Sequence, residues 1–260
     1  HNDPVLFEII NKIDRGIFTG NYKMRNGLLY KSFPNKDNIL RVVVPKVLVN
    51  LVLAKYHFMT HAGVKKLILS VKLNYYWKNL ERDAQEFTKG CVLCNIFKHT
   101  NVGETEFGTP RVIHKPLAFW QMDVVSGLIS VNGSSSFLNM VELYSGLSVP
   151  VILKGETSKD IAFAIENNLI KPFGVPLEIS CDNAANLGGT EVQKLLDFYG
   201  IKLRRTVPYS PQSHAIVENS NKYLVILVRI FSEQFKVPWT NVLTLAALIC
   251  NSVPRYQLKG

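Results

Sequence analysis

The amino-acid sequence predicts a mixed α+β and α/β chain with a small N-terminal extension, a helical segment built around a metal, and a mixed-sheet domain. Three observations carry this. Two histidines and two cysteines bracket a short helical stretch. Residues 99–116 hold Gly103, Gly108, Pro110 and Pro116 with no hydrophobic periodicity, which marks a linker. Beyond it, three strand patterns in succession give way to alternating helices and strands. The parts fall at 1–45, 46–98 and 117–260, with 99–116 between the last two.

In the extension, Val5–Ile13 has a helical pattern. Tyr22–Ser32 and Ile39–Val44 have strand patterns, with Asn26-Gly27 as a hairpin turn. Pro45 opens an amphipathic helix over Lys46–Phe58. Two more helices fill Gly63–Gly90, separated near Asn74. In the third part, Phe119–Ile129, Phe137–Leu143 and Ser148–Leu153 form a meander. Thr157–Ile170 is helical, with Thr157 and Asp160 spaced as a capping box. Leu177–Cys181 is a strand, Thr190–Tyr199 a helix stopped by Gly200, and Ile201–Val207 a strand. Helices His214–Phe235 and Trp239–Cys250 close the pattern.

The chain of 260 residues is 47% hydrophobic, enough to bury a core. Its net charge of +10 points to a polyanion partner, nucleic acid first. No apolar run reaches the ~18–20 residues of a membrane span, so no membrane partner is expected. The first residue is His1, as in a processed polyprotein product or an excised fragment. Four cysteines do not make a disulfide scaffold.

His57 and His61 are four apart, on one face of a helix. Cys91 and Cys94 follow 29 residues later as Cys-x-x-Cys, read as a tight turn that points both thiolates inward. Two nitrogen and two sulfur ligands in short pairs suit tetrahedral Zn²⁺. A redox pair would be expected beside a βαβ pattern, whereas this one ends a helical segment. Apolar Leu67, Leu69, Tyr75, Trp77 and Leu80 supply the segment with its own small core. Cys181 and Cys250 are expected as buried thiols.

Asp123 lies between apolar neighbours of the first strand, a costly position unless it is paired, at a sheet end or binding a cation. Asp182 ends a strand, and Glu218 lies in a helix. There are 58 residues between Asp123 and Asp182, and 35 between Asp182 and Glu218. These intervals, downstream of the HHCC segment, resemble the DDE triad of retroviral and LTR-retrotransposon integrases. Pro208-Tyr209-Ser210-Pro211-Gln212-Ser213 resembles the loop before that family's catalytic glutamate. Glu218-Asn219-Ser220-Asn221-Lys222 resembles its Glu-x-x-Asn-Lys continuation. Tyr76-Trp77 and Cys91–Lys98 are similar to the gypsy-type zinc segment, and Asn26–Tyr30 with Val43-Val44-Pro45 to the extension before it.

The resemblance implies an RNase H-like core, a five-stranded mixed sheet flanked by helices. It implies catalysis by Asp123, Asp182 and Glu218, holding two Mg²⁺ or Mn²⁺ ions, and structural zinc on His57, His61, Cys91 and Cys94. The implied activity is trimming of LTR 3′ ends and their joining to target DNA. Tyr209, Gln212, Asn221 and Lys222 are candidate DNA contacts. His214 is either a phosphate contact or a solvated side chain, and Lys202, Arg204 and Arg205 form a basic patch that is either a backbone grip or an exposed basic strand. LTR-end and target DNA, a dimer or tetramer of the chain and a chromatin factor are the implied partners. Nucleus and cytoplasm are the implied locations, in a preintegration-type complex. The family usually has glycine at 184 and 215, where alanine stands here, and a small or amide side chain at His214; alanine restricts positive φ. The family usually continues into a small C-terminal β domain, whereas this sequence stops at Lys259-Gly260, as when that domain has been removed or was never present. A domesticated DNA-binding protein without catalysis and an RNase H-like nuclease remain the alternatives.

Overall fold

The computed structural model describes residues 3–17, 20–34, 39–98, 115–182, 187–205 and 211–253, the last without the side chains of 211–215. The chain divides into two compact units, His1–Ile96 and Phe97–Gly260.

The first unit opens with α1, Pro4–Asp14, whose Asp3 cap accepts from the Leu6 amide at 3.3 Å. β1 (Tyr22–Arg25) and β2 (Leu28–Lys31) form the hairpin. Asn26 and Gly27 both take positive φ, 51° and 74°, as a two-residue type I′ turn requires. β2 pairs with β3 (Arg41–Val43), and β3 pairs in parallel with β4 (Tyr75–Tyr76), a strand absent from the sequence reading. The extension's sheet therefore takes its last strand from the helical segment, and the two share one unit. The expected helix from Lys46 begins as a 3-10 turn, Lys46–Leu48, before α2, Val49–Thr60. α3 (Val64–Lys72), α4 (Leu80–Lys89) and α5 (Val92–Phe97) follow. Leu53, Leu67, Val71, Trp77, Leu80 and Ala84 bury their side chains together.

The second unit is a five-stranded mixed sheet in the order β7-β6-β5-β8-β9. β5 (Phe119–Val125), β6 (Ser136–Glu142) and β7 (Ser148–Leu153) are the antiparallel meander. β8 (Glu178–Cys181) and β9 (Lys202–Arg205) add in parallel on the other side of β5. Every residue of β6 is buried, which happens when helices cover both faces of a sheet. One face carries Trp120, Met122, Leu138, Met140, Ile179 and Cys181 against Ile161, Ile165, Val192 and Leu196. Those last four come from α6 (Ser158–Ile165) and α8 (Thr190–Tyr199). After α6 a π turn spans Glu166–Ile170 and α7 spans Lys171–Phe173. The opposite face meets α9 (Pro211–Phe235) and α10 (Trp239–Ser252), with Phe137 against Trp239. The expected capping box at Thr157 and Asp160 is present, and Gly200 ends α8 at φ 69°. No helix among the described residues is long and apolar enough to cross a membrane.

Candidate functional site

His57, His61, Cys91 and Cys94 are buried, and their ligand atoms all lie within 4.8 Å of one another. Zn–S near 2.3 Å and Zn–N near 2.0–2.1 Å at tetrahedral angles require sulfur and nitrogen to sit about 3.6 Å apart. Cys94 Sγ lies 3.4 Å from His57 Nε2 and 3.5 Å from His61 Nδ1, and Cys91 Sγ lies 3.6 Å from His61 Nδ1. The donor set and its spacing fit a closed, structural zinc site.

The local route to that geometry differs from the sequence reading at two points. His61 is not on the helical face of His57. α2 stops at Thr60, and His61 caps it in the left-handed region, φ 43° and ψ 32°. That conformation is uncommon outside glycine, and here it turns Nδ1 toward the two sulfurs. Cys91-x-x-Cys94 is not a free-standing tight turn either: Cys91 precedes α5 and Cys94 lies within it. The amide of Cys91 donates to Thr88 and its carbonyl accepts from Asn95, so the end of α4 passes straight into α5. Around the cluster the Phe87 ring stands 5.7 Å from both the His57 and Phe58 rings.

The carboxylates follow from sheet register. The last β5–β8 pair is Met122 with Cys181. Both side chains point into the α6–α8 core. Alternation therefore sends the next residue on each strand, Asp123 and Asp182, to the same end of the sheet and away from that core. Adjacent strands run about 4.8 Å apart, so two acidic residues come side by side where β8 ends against β5. Both line one cavity, with Val124, Ser126, Glu156, Ile161 and Leu187. Glu156 was not among the sequence candidates. It lies just past β7, accepts from Ser126 Oγ at 2.8 Å, and has no spacing signal to reveal it.

Glu218 is not among the residues that line this cavity. It sits on α9 with a side chain 57% exposed, and Lys222 Nζ is 4.0 Å from its Oε2. The link to the aspartates runs through Asn221, whose Nδ2 donates to Asp123 Oδ2 at 2.7 Å. Asn221 was a candidate DNA contact; in this structure it is 8% exposed. Lys202, Arg204 and Arg205 are exposed on edge strand β9. Arg204 stands 3.8 Å from Glu178, and Arg205 donates to the Gly188 carbonyl at 2.9 Å, holding the segment that leads into α8. Tyr209 and Ala184 lie outside the described residues, as do the side chains of Gln212, His214 and Ala215.

Cys181 is fully buried beneath the site. Burial, reinforced by the Asp182 carboxylate, pushes its thiol up to about 11. Cys250 is buried too.

Residues 44–100 match the integrase zinc binding domain, and residues 113–211 match the integrase core domain. The Tf2-3 and Tf2-4 transposon polyproteins of Schizosaccharomyces pombe are each 25% identical to this chain over 251 residues. The alignment covers 94% of this chain and 18% of each polyprotein, so the chain spans about a fifth of their length. In fold, it is similar to a chain of the simian T-cell lymphotropic virus intasome bound to the PP2A regulatory subunit B56 gamma. That match has a TM-score of 0.51 and 22% identity, and covers 77% of this chain and 66% of the other. With a zinc-binding domain ahead of a core domain, the chain belongs to the integrase family of retroviruses and LTR retrotransposons.

Proposed function

We propose that this chain is a polynucleotidyl transferase that trims the 3′ ends of LTR-type DNA and joins them to target DNA. The observation that carries the reading is that Asp123 and Asp182, each just past the last β5–β8 pair, line one cavity in a core of integrase type.

Hard carboxylate oxygens on neighbouring strands suit Mg²⁺ or Mn²⁺, and the pair fits that donor chemistry. When bound, such ions supply charge neutralisation at phosphorus and lower the cost of deprotonating the attacking oxygen. Asp123 and Asp182 would hold them from the rigid sheet. Glu218, exposed on α9, would complete the set when a DNA end arrives. Lys222, one helical turn further, stands 4.0 Å from the solvent-exposed Glu218 carboxylate, an ion pair worth little. It is therefore available to a DNA phosphate. Lys202, Arg204 and Arg205 extend positive charge along β9 for the same use. No side chain needs to act as nucleophile: in trimming, water attacks the phosphodiester and the 3′-oxygen leaves as a hydroxyl; in joining, that 3′-hydroxyl attacks a target phosphodiester and displaces the target strand's 3′-oxygen, which takes up the proton. Multimers of the chain on two DNA ends, delivered to the nucleus, complete the proposal.

A gel assay with labelled LTR-end oligonucleotides and target DNA tests it. Joined products with Mg²⁺ or Mn²⁺ are expected. Cleavage without joining identifies a hydrolytic nuclease instead, and binding with neither identifies a DNA-binding protein without catalysis.

A further inference from the structure

Behind Asp123 runs a line of buried polar side chains. Asp123 faces Asn139 across the β5–β6 ladder. Asn139 is fully buried, and Ser148, on the next strand, is 1% exposed. Ser148 Oγ donates to Asn139 Oδ1 at 2.7 Å. Asn139 Nδ2 donates to Asn221 Oδ1 at 2.7 Å, and Asn221 Nδ2 donates to Asp123 Oδ2 at 2.7 Å. The backbone of Ser148 is clasped from outside by Asn251 of α10, amide to Oδ1 and Nδ2 to carbonyl, each at 2.8 Å.

A buried polar chain through the middle of a sheet face is costly unless every member is satisfied. This one is directional. An asparagine presents either its oxygen or its NH₂, and the hydrogen-bond network decides which. A hydroxyl donor on Asn139 Oδ1 leaves its NH₂ facing Asn221. That acceptor demand fixes Asn221 Oδ1 inward and aims the Asn221 NH₂ at the Asp123 carboxylate. The same bonds tie α9, which bears Glu218, to β5 and β6.

We propose that Ser148 and Asn139 are positioning residues for the cation-holding carboxylate: they set the orientation of Asn221 and, through it, of Asp123. The proposal rests on the reading of Asp123 and Asp182 as a cation site. Outer hydrogen-bond partners of metal ligands typically contribute 10–100-fold in metal affinity. Ser148→Ala removes one oxygen from an edge strand, leaving Asn139 free to flip. Ser148→Thr keeps the donor. Asn139→Asp offers only oxygens, so Asn221 turns its NH₂ inward and confronts Asp123 with a second oxygen.

The test is Mn²⁺ binding by the full chain, read from the spin resonance of free Mn²⁺, with Asp123→Asn as the blank and melting temperature recorded alongside. Ser148→Ala is expected to weaken the Asp123-dependent binding about tenfold, Asn139→Asp more, and Ser148→Thr to restore it. The Mg²⁺ requirement for DNA joining should shift in the same order. Folded Ser148→Ala and Asn139→Asp chains that bind Mn²⁺ like the wild type, even with lowered melting temperatures, would overturn the proposal and leave the cation site standing. Equal Mn²⁺ binding by the wild type and Asp123→Asn would remove the cation site, and the proposal with it.

Discussion

Each zinc ligand has a separate structural reason for being where it is. His57 reaches the cluster from the last turn of α2, His61 by a left-handed cap, and the cysteines from the α4–α5 junction. Replacing one of four leaves an incomplete shell in a small unit whose core leans on Leu53, Leu67 and a few neighbours. A structural metal contributes its binding free energy to the folding of the segment that holds it. Cys94→Ser should therefore lower zinc from about one per chain to almost none by elemental analysis, with loss of helical circular dichroism in the first unit. A metal-free chain with full wild-type helicity would refute the assignment. The other two cysteines behave oppositely. With its thiol raised to about 11 and no exposure, Cys181 carries almost no thiolate at neutral pH. It and Cys250 should resist a thiol reagent in the native chain and react on denaturation, counted by absorbance.

At the scale of elements, α6 is held at its start by a reciprocal cap. Thr157 Oγ1 accepts from the Asp160 amide at 3.3 Å, and the Asp160 side chain accepts from the Thr157 amide at 3.2 Å. Thr157→Ala should cost about 1 kcal/mol, measured by urea unfolding of the second unit, with an unchanged midpoint counting against the cap. This cap was legible in the sequence because its signal is local, as were the hairpin at Asn26-Gly27 and the stop at Gly200. The meander was legible too, because turn residues separate its apolar, strand-like runs. β4 was not: two residues carry no period, and their pairing with β3 is settled only when the helices between them fold. The left-handed turn of His61 escaped because i, i+4 spacing cannot say where a helix ends. Asp123, Asp182 and Glu218 are singled out by interval and surrounding words. Glu156 and the Ser148–Asn139 pair were hidden, because single polar residues in apolar strands acquire meaning only from neighbours far along the chain.

For the whole molecule, the two units have separate buried cores, one around Leu53 and Leu67 and one around Trp120 and Ile161. The His57, His61, Cys91 and Cys94 cluster lies within the first. A strong chelator should therefore melt residues 1–96 selectively, while the sheet of the second unit keeps its unfolding midpoint; protease sites opened across both units would speak against independent cores. The charge of +10 acts at the same scale. DNA affinity should fall with salt at about −0.9 in log–log slope per phosphate neutralised on duplex. A flat salt response in a binding titration would exclude backbone contacts as the main source of affinity.

Three carboxylates are proposed to act together on DNA ends, Asp123 and Asp182 held where β8 ends against β5 and Glu218 brought by α9. Glu218→Gln keeps size and hydrogen-bonding reach while removing the charge. Because Glu218 is exposed and outside the buried core, the substitution should leave fold, zinc content and DNA affinity nearly unchanged. The measurement is the joining assay with labelled LTR-end oligonucleotides in Mg²⁺ or Mn²⁺, run beside Glu233→Gln from the same helix. Glu218→Gln should abolish both 3′-end trimming and strand transfer while Glu233→Gln joins like the wild type; near wild-type joining by Glu218→Gln would rule out the three-carboxylate site.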